Sequence, residues 1–281
     1  MKRLWPRGAA AAAALAAACW TSCAFSVPLR IASINMCADQ LLLALADPEQ
    51  IVGLGPYARD PQMSWLAKEA SLYPRLSGEA EDLIALRPDL VLAGKYGKKA
   101  TRELLQDHGV KIAEFDVPRS IEDVKAQVRQ VGEIVGHQER ANALIDRIDA
   151  AAARARAMAG DGRVRVLAVS RRGWVAGSNG LLSSLLATVG LANSASELGL
   201  KSGGFVTLET IIATEPDLIL VAESSPRAED QGKAMLLHPA LDRRYPPARR
   251  IVIPEVLTIC GGPMLPAALD RLSEALGQVS R

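Results

Sequence analysis

The chain has 281 residues, with 33 Lys+Arg against 31 Asp+Glu and a net charge of +2. That balance argues against nucleic-acid binding, which needs a concentrated basic face. The length suits two modest domains or one large one, and only eleven aromatics (four Trp, four Tyr, three Phe) leave the core to aliphatic side chains.

Lys2, Arg3 and Arg7 precede a run from Ala9 to Ala18 that is alanine except for Leu15, and Ser22-Cys23-Ala24 follows. This pattern predicts a secretory signal peptide over residues 1–24, too short for a transmembrane span, and hence a periplasmic protein. Its removal takes away three cations and no acid, leaving a net charge near −1. Ala16 to Cys19 fits a lipid-attachment box only loosely, lacking the usual leading Leu. Cys19 and Cys23 fall in the signal, so Cys37 and Cys260 remain. An oxidising compartment permits a disulfide between them without requiring it; free thiols, buried or facing a cleft, are the alternative.

Arg30–Ile34 reads as a first strand, followed by polar residues 35–39 and a leucine-rich helix over Gln40–Ala46 that Asp47-Pro48 closes. Ile51–Leu54 is a second strand, and Gly55-Pro56 opens a loop containing Tyr57 and Arg59. Glu79–Leu86 has helical spacing, Pro88-Asp89 turns the chain, and Leu90–Ala93 is a buried strand. A helix over Ala100–Asp107 and a strand over Val110–Phe115 follow. Residues 120–159 carry apolar side chains at helical spacing with no strand, which predicts a nearly continuous helical stretch. Val164–Ser170 is then a strand, Gly180–Val189 a helix, Arg250–Ile253 a strand, and Leu265–Val279 the terminal helix.

One unit occurs twice. Residues 81–93 (EDLIALRPDLVLA) and 209–221 (ETIIATEPDLILV) share seven identities at a spacing of 128 residues. Two copies half a mature chain apart predict two similar lobes rather than a solenoid. Strands alternating with helices predict an α/β fold, each lobe a small parallel sheet flanked by helices. A long helical connector joins them. The boundaries expected are 25–118 for the N-terminal lobe, 119–161 for the connector and 162–281 for the C-terminal lobe.

Signatures of catalysis such as GxSxG, HExxH, CxxC or a Walker loop do not occur, which argues against an enzyme. His108, His137 and His238 do not cluster with acids or cysteines at metal spacing and read as structural. Neither a catalytic residue, a resident cofactor nor a metal site is expected.

Asn35-x-Cys37-x-Asp39, the leucine-rich helix, the two helix-Pro-Asp-Leu-strand units, the helical stretch between them and Cys260-Gly261-Gly262-Pro263 together carry a resemblance. The chain resembles the periplasmic substrate-binding proteins for ferric siderophores, haem and cobalamin over essentially its whole mature length. That implies a monomer delivering a metal chelate to an inner-membrane ABC permease with its ATPase. It also implies permease docking by Glu81 and Glu209, seven residues before each repeat proline. An acid in a helix's first turn also favours the helix dipole, but that does not explain the same register twice.

Ligands of open parallel sheets meet the loops after strand C-termini. Those loops offer Asn35, Cys37, Asp39, Tyr57, Arg59, Lys95 and Tyr96 from the first lobe. The second offers Arg171, Arg172, Trp174, Ser224, Thr258 and Cys260. Four cations and three aromatics among them favour a ferric siderophore, with cobalamin or haem as alternatives. Tyr96 or Tyr57 would supply an axial oxygen to haem. The reading from another class is a secreted metal-dependent enzyme using Cys37 and Cys260 as ligands.

Overall fold

A computed structural model describes residues 28–159, 162–223 and 234–279. The expected signal segment over residues 1–24 and the expected ligand residue Ser224 lie outside the described residues.

In the first lobe the strands β1 (Ile31–Ser33), β2 (Ile51–Gly53), β3 (Leu90–Gly94) and β4 (Lys111–Phe115) pair in parallel, in the order β2-β1-β3-β4. Helices α1 (Met36–Leu45), α2 (Ala67–Ala70), α3 (Ala80–Leu86) and α4 (Lys99–Asp107) connect them. The helix α1 begins four residues earlier than its leucines suggest. Asn35 is its N-cap, the side-chain oxygen accepting from the amides of Cys37 and Ala38 at 3.1 and 2.9 Å. The polar stretch Asn35–Asp39 is therefore mostly the first helical turn, stabilised by the cap.

The stretch between the lobes is helical but folds back on itself. Helix α5 (Ile121–Val135) ends at Gly136, whose φ of +77° closes the helix in the left-handed region. Helix α6 (Gln138–Met158) then returns antiparallel, so that Lys125 on α5 meets Asp149 on α6 at 2.8 Å. The hairpin tip is fixed to the first lobe. His137 and Arg140 both reach Asp47, at 2.8 and 2.7 Å, and the Gln50 amide donates to the Val135 carbonyl.

In the second lobe β5 (Arg165–Val169) leads into β6 (Trp174–Val175), α7 (Leu181–Thr188), β7 (Ala192–Asn193), β8 (Gly204–Phe205), α8 (Leu208–Thr214), β9 (Leu218–Glu223), α9 (Pro239–Arg244), β10 (Arg250–Pro254) and α10 (Leu265–Val279). A parallel trio β10-β9-β5 repeats the first lobe's design, and the antiparallel strands β6 and β8 extend it on the β5 side.

Strand residues alternate between two cores, as the pleat requires. Leu92, Val166, Ala168, Leu218, Leu220, Ile251 and Ile253 face one continuous core that also takes in α1, the α5–α6 hairpin and α10. Val91 faces a separate cluster under α3 and α4, while Leu167 and Ile219 face one under α8 and α9. The central strands thus bury both faces, which explains the apolar runs of β3, β5 and β9. The inner faces of the two lobes share a single core.

Candidate functional site

A cavity of about 600 Å³ opens between the lobes. Its lining comes from the N-terminus of α1, the loops after β3 and β4, Gln127 of α5, the β6 region, the start of α7 and the turn at 258–261. These are the carboxyl ends of the parallel strands, where ligands of α/β sheets bind.

Of the residues expected from the sequence, Asn35, Cys37, Lys95, Tyr96, Trp174, Thr258 and Cys260 line this cleft. Asp39 does not: it is fully buried below the first turn of α1, with one carboxylate oxygen lacking any partner and the other accepting from the Gly55 amide at 3.4 Å. Burial pushes its carboxyl up to about 7. Tyr57 and Arg59 follow β2, the edge strand of its sheet, and do not line the cavity; Arg59 donates to the Tyr73 carbonyl. Arg171 and Arg172 also stay outside, because the chain turns back at once from β5 into antiparallel β6 and meets the cleft only from Trp174 onward.

Cys37 and Cys260 are joined as a disulfide. This removes both thiolates and with them the metal-enzyme reading that used the pair as ligands. Among the described residues no group of three or more His, Cys, Asp or Glu side chains is placed to hold a metal ion.

Several cleft residues carried no signal in the sequence. Phe115, Leu41, Leu181, Leu182 and Ile259 make the wall apolar, and Asp116, Arg119, Gln127 and Asn179 add polar groups. Asp116 sits 3.2 Å from Lys95, and its carboxyl is held below the usual range by the Val117 amide and by Lys95. Lys95 is raised in turn, chiefly by Asp116. Arg102 of α4, outside the cleft, fixes the loop that presents Lys95 and Tyr96. Its guanidinium donates to the carbonyls of Gly94 and Lys95, each at 3.0 Å, and to that of Gly97, while Glu114 holds it at 2.8 Å.

Trp174 is set as a platform on the opposite wall. Phe205 packs against it edge-on, with ring centroids 5.0 Å apart at 70°. Gly203 backs the indole so closely, at φ +96°, that a Cβ there would lie 2.8 Å from Trp174 Cζ2.

Glu81 and Glu209 are exposed in the first turns of α3 and α8. The start of α3 adjoins the loop after β3, where Lys98 pairs with Glu79 at 2.5 Å. The start of α8 adjoins the turn after β5, where the Val206 amide donates to the Gly173 carbonyl at 2.9 Å. Both glutamates therefore stand beside strand-end loops of their lobe's sheet. The carboxyl of Glu209 lies below its ordinary range, held by its own backbone amide and by Thr207.

A family model described as periplasmic binding protein matches residues 31–244. A cobalamin-binding protein of Halobacterium salinarum is 26% identical over 217 residues, which are 75% of this chain and 58% of that protein, so the chain spans less than two thirds of this curated relative. The apo structure of the periplasmic haem-binding protein RhuT from Roseiflexus sp. RS-1 is 25% identical with a TM-score of 0.75, covering 90% of this chain and 100% of the other. A periplasmic haem-binding protein from Pseudomonas aeruginosa shares the fold, with a TM-score of 0.71 at 24% identity, over 88% of this chain and 92% of its own. These relatives are binding proteins rather than enzymes. No helix among the described residues is long and apolar enough to cross a membrane.

Proposed function

The chain belongs to the periplasmic binding protein family, and from that premise we propose that it is the substrate-binding component of an ABC importer, carrying a metal-bearing tetrapyrrole, in the first place haem, in the inter-lobe cleft. The balance of the cleft lining carries this reading. The expectation of a ferric siderophore rested on four loop cations, Arg59, Lys95, Arg171 and Arg172. Of these only Lys95 lines the cavity, where Asp116 pairs with it, and Arg119 leaves the lining a single net positive charge. So little net charge suits a polyanionic ferric chelate poorly. Leu41, Phe115, Leu181, Leu182 and Ile259 instead offer apolar area to a flat conjugated ring, with Trp174 to stack on it.

The cavity of about 600 Å³ falls within the range of roughly 300–1,000 Å³ common for small-molecule sites. A haem fills such a space, with Tyr96 as the oxygen donor available to its iron. A cobalamin, with its nucleotide tail, extends beyond it. The relationship to a cobalamin-binding protein keeps the corrinoid as the second reading.

The proposed cycle involves no covalent step. The ligand enters between Tyr96 and Trp174, and the loaded protein presents Glu81 and Glu209 to basic residues of a permease. The test is a titration of the Trp65→Phe variant, which leaves Trp174 as the only described tryptophan, with hemin, cyanocobalamin and a ferric catecholate. Saturable quenching of Trp174 by hemin with a Soret band on the protein supports the haem reading. Quenching by cyanocobalamin alone shifts it to the corrinoid. Binding of the ferric catecholate alone overturns it.

A further inference from the structure

Among the described residues, Arg119 is the one cleft cation that no acid pairs with. Of the charged groups around it, each acid is already engaged. Asp116 holds Lys95 at 3.2 Å and accepts from the Val117 amide at 2.8 Å. Glu114 holds Arg102 at 2.8 Å. Asp123 accepts from the backbone amides of Arg119 and Ser120, at 2.9 and 3.0 Å, in the capping box that starts α5. Arg119 is an exposed residue of the cleft lining, and its guanidinium makes no ion pair among the described residues.

Its backbone, by contrast, is held on both sides. Pro118 fixes the preceding φ, and the Ser120–Asp123 capping box fixes the turn that follows. Gln127 adds a third restraint by donating to the Asp116 carbonyl at 2.8 Å, which ties the loop to α5. An arginine on a rigid stem with its fork of donors free is built for bidentate capture of a carboxylate.

Resting on the tetrapyrrole reading above, we infer that Arg119 anchors a peripheral carboxylate of the ligand and so selects a carboxylate-bearing porphyrin over an amidated corrinoid. The ring would lie on Trp174 and the apolar wall with its carboxylate edge toward the Arg119 corner. Lys95, already neutralised, would contribute less.

Hemin and hemin dimethyl ester present the same ring with and without carboxylates. Their affinities should be measured by Soret titration for wild type, Arg119→Gln and Lys95→Met. Wild type should prefer hemin by about tenfold, the scale of one charge-assisted pair. Arg119→Gln should abolish that preference while still binding the ester as wild type does. Lys95→Met should keep most of it. Equal discrimination in wild type and Arg119→Gln overturns the inference while leaving the haem reading intact, as does a larger loss in Lys95→Met. Failure of every protein to bind either porphyrin overturns the ligand reading and this inference with it.

Discussion

Cys37 in the first turn of α1 is bonded to Cys260 in the turn before α10, with Cα atoms 5.3 Å apart and 223 positions between them in sequence. One comes from each lobe, and both line the cleft. The bond therefore ties the lobes together at the ligand site itself. Beside it, Gly261 lies against Val124 of α5, and Gly262 lies against Leu41 of α1.

Losing this bond should cost stability. A cross-link closing so long a loop constrains the unfolded chain strongly, and removing a native one typically costs about 2–5 kcal/mol. The Cys37→Ser, Cys260→Ser double variant should show a lower urea midpoint than wild type, and reductant should bring wild type down to it. Equal midpoints with and without reductant would contradict this.

Asp39 should make stability fall as pH rises. Its folded value of about 7 stands above the 3.8 of an unperturbed aspartate. Below that lower value both states are protonated, and nothing is lost. Between it and about 7 the unfolded chain releases its proton while the folded one keeps it, so ionisation favours unfolding. The loss, on the order of 4 kcal/mol, is complete above about pH 7. Asp39→Asn should therefore raise the urea midpoint at pH 8 and leave it nearly unchanged at pH 4. A variant that weakens the protein equally at both values would refute this.

Gly261 should tolerate no side chain. A Cβ there would lie 2.2 Å from Val124 Cγ2 and 3.2 Å from Leu181 Cδ2. Gly261→Ala is expected to destabilise by about 1–3 kcal/mol, the usual cost of overpacking. Val124→Ala should recover part of that loss in the double variant. Additive effects of the two changes would show that the contact is not responsible.

Reversing charge at both Glu81 and Glu209 to Arg should stop uptake without weakening ligand binding. Transport into proteoliposomes and a Trp174 quenching titration on the same protein separate the two quantities. Normal transport by the double variant would remove docking as their role.

Lobe motion on binding should be small. The disulfide, the α5–α6 hairpin and the shared inner core all span the junction. Solution scattering with and without ligand should give radii of gyration equal within the error of the fit, and a clear compaction would argue for a hinge.

The repeated unit made both lobes legible, because helix, Pro-Asp turn and strand are local patterns whose register survives in the sequence. Direction is not local. The apolar period of α5 runs through Gly136 into α6, and periodicity alone cannot say whether the second helix continues or reverses. Sheet order is not local either. Tyr57 and Arg59 occupy a strand-end loop as surely as Lys95 and Tyr96 do, but theirs follows an edge strand. Asp39 failed as a ligand residue for a different reason: Asn35 caps α1 early and turns the next four residues into helix, which points the carboxyl inward. Arg102 and Arg119 were invisible because an arginine's role lies in what its guanidinium meets.

The covalent floor of the cleft changes what limits occupancy. A binding protein whose halves swing apart must spend part of its interaction energy drawing them together, and its apparent affinity falls with the fraction of closed molecules. Here the floor is one piece before the ligand arrives, so that tax is small. Departure need not wait for the halves to part. Residence time then depends on the groups at the entrance, Tyr96 and Trp174 among them, and a transporter that loosens those loops could empty the site with the floor intact.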